Sequence, residues 1–217
     1  MCFSAKLSLT SFLVGIVSSV LLITYGNEES KKTNKAIGYF FMFVSLMQLI
    51  EYFMWKDLKC VNGLNKTASI LGPLFNHLQP IVLLVLGYHY IDNGIVDKNI
   101  MLIINALFFG YVIKKYNPGL ICTTVNKLTR TDTETCDAHL DWQWKYGFDY
   151  KIYHSVMLIN AFQFIKNKNL MTSFILSYII LYFNILNKHN VGELWCFSVT
   201  GMPLINLFMQ KVLKVNN

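Results

Sequence analysis

Long apolar runs alternate with short polar stretches along the whole chain of 217 residues. A helix needs about 20 apolar residues to cross the hydrocarbon core of a bilayer, which is about 30 Å thick. Five runs approach that length, and each is followed by a polar stretch. They cover residues of about 7–25, 37–55, 70–90, 169–187 and 194–213. The pattern predicts that each of these runs forms a membrane-spanning helix.

Two further apolar runs, at about 99–114 and 152–165, are shorter and predict helices that are thin, tilted or only partly spanning. Together the runs predict an all-α, polytopic transmembrane bundle of six to seven helices. We expect residues 1–217 to form a single integral membrane domain. The connection at about 115–151 is too long for a simple turn, and it predicts a small ordered cap or a mobile lid.

The composition agrees with this pattern, because 54% of the residues are hydrophobic and only 14% are charged. Soluble domains average about 25% charged residues. A helix at the surface of a soluble protein also needs a polar face. Segments such as 174–183 are instead apolar nearly all the way round. The partner that we expect for these surfaces is a lipid bilayer.

The formal net charge of +7 comes from lysines that are clustered between the apolar runs, as at Lys114 and Lys115. Such clusters are typical of helix ends, where ammonium groups reach the lipid headgroups. A nucleic-acid interface would combine arginines with exposed aromatic residues, and Arg130 is the only arginine. We therefore expect no nucleic-acid partner.

Spanning helices alternate in direction, so the helix count predicts which connections share a side of the membrane. If all seven segments span, the N-terminus lies on the same side as the connections at about 56–69, 115–151 and 188–193. That side, which we name the cysteine face, then carries every cysteine of the chain. These are Cys2, Cys60, Cys122, Cys136 and Cys196.

Two features suggest the compartment that the cysteine face meets, whereas lysine and arginine are distributed too evenly to decide it. Asn65-Lys66-Thr67 matches the acceptor pattern for N-glycosylation. Cys122 and Cys136 lie in one connection and could form a disulfide in an oxidising lumen. We therefore expect the N-terminus and the 115–151 loop to be extracellular or lumenal.

The second predicted helix carries a polar stripe within an arc of about 120°. Its members are Ser45, Gln48, Glu51, Tyr52 and Trp55. A carboxylate inside the membrane costs about 2–3 kcal/mol unless it is paired or protonated, which makes Glu51 a functional candidate. Glu51 lies only about 6 Å from the predicted helix end, however, so a carboxylate that reaches interfacial water is the alternative.

The third predicted helix carries His77 close to Pro80, about 10 Å from the cysteine face and at a depth similar to that of Glu51. A Glu51–His77 pair could relay protons, act as catalytic base and acid, or bind a metal. The alternative is an interhelical hydrogen bond that only stabilises packing by about 0.6–2 kcal/mol.

Cys2 and Glu193 add a thiol and a carboxylate at the same predicted level. With His77 and Glu51 they could bind zinc or another divalent metal. No CxxC, HxxxH or HExxH spacing supports such a site. Cys2 could instead be acylated at the membrane surface, and Cys196 could be a small buried apolar residue.

The N-terminal sequence Met1-Cys2-Phe3-Ser4-Ala5, followed directly by an apolar run, resembles a family of small multi-pass membrane proteins of unknown function that begin with MCFSA. The second helix of that family often carries an element like Gln48-Leu49-Ile50-Glu51 followed by Trp55. The resemblance covers about the first third of the chain. It implies a role for Cys2, Ser4, Gln48, Glu51 and Trp55, but no reaction.

The chain departs from that family at Tyr52, where a small residue is commoner, and in the long 115–151 loop. A looser resemblance is to seven-helix membrane hydrolases such as the alkaline ceramidases, which hold zinc with histidines near one face. It concerns only the number of helices and the position of the histidines, and the spacing does not match.

These observations leave two classes of function open. One is a metal-assisted hydrolase acting at the membrane interface, in which metal-bound water attacks the substrate. The other is a non-enzymatic transporter, channel or structural membrane protein. The leading hypothesis places Glu51 and His77 in a polar pocket at the cysteine face, whereas a structural membrane protein would have no small-molecule site. The other expected members of that pocket are Cys2, Ser4, Gln48, Trp55 and Glu193.

Overall fold

The computed structural model describes residues 4–91, 94–116, 122–127, 138–142, 149–186 and 198–212. This part of the chain contains seven α-helices, in agreement with the predicted all-α fold. They are α1 (Ala5–Tyr25), α2 (Lys31–Lys56), α3 (Leu64–Tyr90), α4 (Lys98–Lys115), α5 (Tyr150–Phe162), α6 (Lys168–Leu186) and α7 (Met202–Val212). A short 3-10 helix, Glu28–Ser30, leads into α2.

Two short strands lie within the predicted 115–151 connection. They are β1 (Thr124–Lys127) and β2 (Ala138–Asp141), and they pair antiparallel with Val125 opposite Leu140. Leu140 and the following Trp142 are buried against the bundle. This part of the connection is therefore an ordered cap, one of the two forms predicted for it.

Helices α1 and α3, and α2 together with the 3-10 helix, are long and apolar enough to cross a membrane, judged by length and composition within the described residues. The distribution of side chains is inverted relative to a soluble protein. Large apolar side chains are exposed, such as Leu107 (71%) and Val17 (55%), whereas serines such as Ser8 and Ser19 are fully buried. These features indicate a helical protein embedded in a membrane, where polar groups must find partners inside the protein.

Helix α1 packs against α2 through small residues. A Cβ atom added at Gly15 would lie 2.8 Å from the Cβ atom of Ser45, and one added at Gly38 would lie 2.6 Å from Cγ1 of Ile23. Both positions therefore require glycine for the two backbones to approach, as is common between helices in membranes. Because Gly15 meets Ser45 while Ile23 meets Gly38, α1 and α2 run antiparallel.

Helix α3 also runs antiparallel to α2. The rings of Phe43 and Phe75 stack with 5.5 Å between their centroids. At the other end, Nδ2 of Asn65 donates to the carbonyl of Met54 at 3.3 Å. The central helix α2 therefore lies between α1 and α3, and its core side chains, such as Met47, are fully buried.

Asp57 organises the turn between α2 and α3. Its carboxylate accepts backbone N–H bonds from Val61 at 2.9 Å, Asn62 at 3.1 Å and Asn65 at 3.3 Å. Burial by itself raises the pKa of Asp57, but the backbone N–H donors, which include Leu64, lower it more and leave the pKa below its usual range. The carboxylate thus holds the first turn of α3, as capping residues do.

Because of this cap, α3 begins at Leu64 and not at about residue 70 as predicted. The preceding Gly63 adopts a left-handed backbone conformation with φ of 75°, which a glycine tolerates without strain. The polar residues that follow it therefore belong to the helix and not to a loop. Every later residue of α3 lies deeper in the bundle than the sequence suggested.

A disulfide joins Cys60 to Cys122, with 6.1 Å between their Cα atoms. The predicted Cys122–Cys136 disulfide is therefore wrong, and Cys136 itself lies outside the described residues. The neighbouring Thr123 explains the choice of partner, because its backbone N–H donates to Oδ1 of Asn65 at 2.8 Å. This contact holds the segment before β1 against the turn between α2 and α3.

We predict that peptide mapping of the non-reduced protein recovers Cys60 and Cys122 in one linked pair. Cys60→Ser should release one reactive thiol at Cys122 and lower the free energy of unfolding by about 2–4 kcal/mol, because the bond closes a long loop. Cys136→Ser is the matched control and should leave the linked pair intact. Recovery of a Cys122–Cys136 peptide from the wild-type protein would contradict the pairing.

Candidate functional site

Glu51 and Gln48 lie one turn apart on α2, and both side chains are 0% exposed. Nε2 of Gln48 donates to Oε2 of Glu51 at 2.9 Å. Oε1 of Gln48 is buried and has no hydrogen-bond partner among the described residues. A carboxylate is thus held inside the bundle beside an amide that has acceptor capacity left for a water molecule or a ligand.

Helix α1 presents serines to this part of α2. The register that pairs Gly15 with Ser45 brings Ser11 to the level of Gln48, and Ser8 lies about one turn further along α1. Ser11 is 3% exposed and Ser8 is 0% exposed. Oγ of Ser8 has no hydrogen-bond partner in the described part of the chain.

Trp55 belongs to the same stripe of α2, and its indole Nε1 is buried without a hydrogen-bond partner in the described ranges. Trp55 lies one turn from Glu51 on α2, and the two serines of α1 lie at a similar level of the bundle. We name the set of Ser8, Ser11, Gln48, Glu51 and Trp55 the Glu51 cluster.

A line of small buried residues, all of them serines except Gly15, continues from the Glu51 cluster along the interface between α1 and α2. We name it the polar seam, and its members are Ser11, Gly15, Ser18 and Ser19 of α1 with Ser45 of α2. Oγ of Ser18 donates to the carbonyl of Thr200 at 3.0 Å, just before α7 begins. Oγ of Ser19 is buried without a hydrogen-bond partner among the residues described.

The polar seam ends at two fully buried apolar residues, Leu22 of α1 and Ile37 of α2. Beyond them the polar contacts resume at the opposite end of the bundle. There Oε1 of Gln210 accepts from the backbone N–H of Asn27 at 2.9 Å, and its Nε2 donates to Oδ1 of Asn34 at 2.7 Å. The interface between α1 and α2 therefore carries polar side chains near both ends and a buried apolar section between them, at Leu22 and Ile37, which we name the constriction.

His77, which the sequence predicted to lie in a polar pocket, is fully buried on α3. Its Nδ1 atom is 2.8 Å from the carbonyl oxygen of Pro73, and its ring meets the ring of Tyr153 edge-on at 5.6 Å. Tyr153 in turn donates its hydroxyl to Oε1 of Gln79 at 2.7 Å. The surroundings of His77 are thus the interface between α3 and α5, not the α1–α2 interface.

His77 and Glu51 lie far apart in the structure, although the sequence predicted that they lie at a similar depth. Asn65 marks the level of Met54, and His77 lies about 18 Å further along α3. Glu51 lies only about 4.5 Å from Met54 along α2. The two side chains therefore differ in depth by about 13–15 Å, and the reason is the early start of α3.

The remaining predicted site residues have different outcomes. Ser4 caps α1, where its hydroxyl accepts from the backbone N–H of Leu7 at 3.2 Å. Cys2, Glu193 and Cys196 lie outside the described residues. Among the described residues, no three His, Cys, Asp or Glu side chains are grouped so that they could hold a metal ion.

Asn65 is not available for glycosylation in this structure, because its side chain is 0% exposed and fully engaged. Its Nδ2 atom donates to the carbonyl of Thr123 at 2.8 Å, and its Oδ1 atom accepts from Oγ of Ser69 at 3.0 Å. A glycan at this position would displace the segment that holds Cys122. The predicted glycosylation of Asn65 is therefore wrong for the folded protein.

Two polar features of the bundle were not predicted from the sequence. The serines of α1 follow helical spacing with Gly15, so their periodicity could have identified the buried face of that helix. The amide pair of Asn105 and Asn160, which exchange hydrogen bonds of 2.9 and 2.8 Å between α4 and α5, gives no such signal. Its two members lie in different helices, and nothing in the sequence indicates that they meet.

No known protein family, curated protein or solved structure matches the chain. The resemblance to the family that begins with MCFSA therefore rests on the quoted residues alone. Of these, Gln48, Glu51 and Trp55 belong to the Glu51 cluster.

We predict that the protein produced in a glycosylating host shows no change in gel mobility on treatment with an endoglycosidase. Asn65→Ala should destabilise the protein strongly, because it removes the contacts to Met54, Ser69 and Thr123. Thr67→Ala destroys the same acceptor pattern at an exposed side chain and serves as the matched control. It should have wild-type mobility and a wild-type melting temperature. A mobility shift that both variants abolish would sink the structural role given to Asn65.

Proposed function

We propose that the protein is a multi-pass membrane protein that conducts protons along the α1–α2 interface, with Glu51 as the proton-binding group. The observation that carries this proposal is the fully buried Glu51 at the start of the polar seam. Ionisable residues inside membrane proteins commonly mark ion and proton pathways, since placing them there is energetically costly.

The chemistry of the polar seam supports this proposal. Serine hydroxyls both donate and accept hydrogen bonds, so they can line a chain of water molecules. Oγ of Ser19 in the polar seam and Oγ of Ser8 in the adjoining Glu51 cluster lack hydrogen-bond partners within the described segments, and both residues are fully buried. Buried polar atoms without a protein partner are usually satisfied by water or by a ligand. Packing of small residues explains the glycine, but not these two hydroxyls.

The constriction at Leu22 and Ile37 gives the pathway a closed state. A short apolar segment in a pore excludes water and so interrupts a proton-conducting chain. The polar group of Asn27, Asn34 and Gln210 lies immediately beyond it. Conduction therefore requires a local separation of α1 from α2 at the constriction. Without that separation, the Glu51 cluster is accessible from one side of the membrane only.

We also propose that the cysteine face is extracellular or lumenal. The disulfide between Cys60 and Cys122 supports this orientation, because disulfides persist in oxidising compartments. The antiparallel order of α1, α2 and α3 puts the N-terminal end of α1 on the same side. Glu51, which lies near the end of α2, would then exchange protons with that compartment.

The hydrolase hypothesis is weaker than the channel hypothesis. It required Glu51 and His77 to act on one substrate or one metal, and about 13–15 Å of depth separates them. The contacts of His77 with Pro73 and Tyr153 favour a role in packing α3 against α5. Among the residues that the structure describes, no group of three potential ligands could hold a zinc or other divalent metal ion.

We predict that proteoliposomes containing the wild-type protein dissipate an imposed pH gradient faster than protein-free liposomes, as followed with a trapped pH-sensitive dye. Glu51→Gln keeps the side-chain shape and should lower the protein-dependent flux at least tenfold. Glu28→Gln, at an exposed residue paired with Lys31, is the matched control and should conduct normally. Equal flux in wild type and Glu51→Gln would exclude Glu51 as the proton-binding group.

We predict that Leu22→Ser raises the proton flux several-fold, because it replaces half of the apolar constriction with a hydroxyl. Leu13→Ser introduces the same change on the outer face of α1, where Leu13 is 52% exposed, and should not alter the flux. Disulfide retention and monodispersity in detergent check the folding of both variants. An increase of equal size in the two variants would indicate a general leak and would contradict the constriction.

A further inference from the structure

Helix α7 lies beside only one part of the interface between α1 and α2. Just before α7 begins, Oγ of Ser18 donates to the carbonyl of Thr200, and a Cβ atom added at Gly15 would lie 3.2 Å from the Cβ atom of Thr200. At the end of α7, Oε1 of Gln210 accepts from the backbone N–H of Asn27 at 2.9 Å. Helix α7 therefore runs parallel to α1, from the level of Ser18 to the level of Asn27.

The constriction lies between these two attachments. Leu22 is one turn beyond Ser18 on α1, and Asn27 follows Leu22 by somewhat more than another turn. Leu22 and Ile37 are both 0% exposed, and they belong to the same apolar core as Met202 of α7. Helix α7 therefore flanks the constriction along its whole length and is attached to α1 on either side of it.

The side chain of Gln210 joins α7 to both of the other helices, and Gln210 is 2% exposed. Its Nε2 atom donates to Oδ1 of Asn34 at 2.7 Å, and its Oε1 atom accepts from Nδ2 of Asn34 at 3.4 Å as well as from Asn27. We name these contacts of Gln210 with Asn27 and Asn34 the amide latch. A Cβ atom added at Gly26 would overlap Nδ2 of Asn34, so glycine leaves the space that the latch occupies.

A separate contact attaches α7 to α6. Nδ2 of Asn206 donates to Oγ of Ser173 at 2.6 Å, and Asn206 lies one turn before Gln210. The amide latch joins neutral groups, and water replaces such partners at little net cost once it reaches them. Release of the latch would therefore free the end of α7 from α1 and α2 while α7 stays attached to α6.

We propose that α7 is the gate of the proton pathway and that the amide latch holds this gate closed. The proposal rests on the proposed function and names how the same pathway is regulated. In the closed state, the apolar side chains of the constriction exclude water and interrupt conduction. Opening breaks the contacts of Gln210, so that the end of α7 moves aside and water enters between α1 and α2.

The test uses the full-length protein in the proteoliposome assay. Gln210→Met keeps a side chain of similar length but removes the amide, and it should raise the protein-dependent proton flux several-fold. Asn206→Leu is the matched control, because it removes an amide of the same helix whose partner lies on α6. It should leave the flux within about twofold of the wild type. An equal increase in both variants, or no increase in Gln210→Met, would overturn the gate.

A covalent link across the latch should produce the opposite change. The double variant Asn27→Cys, Gln210→Cys is made in a background in which Cys2, Cys136 and Cys196 are replaced by serine. It lacks the latch and should conduct several-fold faster than that background. Dibromobimane, which joins two neighbouring thiols, should then lower the flux to the background level or below. Each single-cysteine variant is the control and should not respond to the reagent. Unchanged flux in the linked double variant would refute α7 as the gate.

Glu51→Gln distinguishes failure of the gate from failure of the channel. Added to Gln210→Met, it should return the flux to that of Glu51→Gln alone, because the open gate still leads to the carboxylate. Flux that stays high in this double variant would indicate a leak outside the pathway and would refute the gate. Flux that depends on Glu51 but not on the latch would refute the gate alone. Absence of protein-dependent flux from both the wild type and Gln210→Met would refute the channel, and the gate with it.

Discussion

The structure depends on one constraint, which is that lipid around the bundle offers no hydrogen-bond partner to a polar group. Helix α1 shows the consequence most clearly, because its serines face α2 while residues such as Val17 face outwards. The interior is consequently held together by polar contacts as well as by apolar packing. The amide pair of Asn105 and Asn160 and the contacts of Gln210 are examples.

The same constraint gives Glu51 its significance. A carboxylate that served only to finish a helix could reach interfacial water, yet this one is fully buried and accepts a hydrogen bond from Gln48. The buried hydroxyls of the polar seam continue from it towards the other side of the bundle. Close helix packing and a water-filled pathway require the same small residues, and the hydroxyls of Ser8 and Ser19 favour the pathway, since packing alone would be served by alanine.

Hydropathy predicted the helices well, because lipid selects for apolar runs of a fixed length. It placed the end of α2 within a residue or two of Lys56, but it started α3 too late. The polarity of Asn65 and Thr67 suggested a loop, whereas both residues lie in the first turn of α3. Asn65 is held there by Asp57 through its backbone N–H and by Thr123 through its side chain. The late predicted start placed His77 at the depth of Glu51, whereas the observed start at Leu64 separates the two. The pairing of Cys122 failed for a related reason, since contacts between distant segments leave no periodic signal.

The two ends of α2 are held by bonds of different strength. At the cysteine face the disulfide and the contacts of Asn65 hold the turn between α2 and α3 to the cap. At the opposite end α7 is held to α1 and α2 by neutral amide hydrogen bonds, each of which contributes only about 0.5–1.5 kcal/mol. The constriction at Leu22 lies next to this weaker end. In the proposed channel, opening of the polar seam would therefore involve the amide contacts of Gln210, while the Glu51 cluster would stay in place.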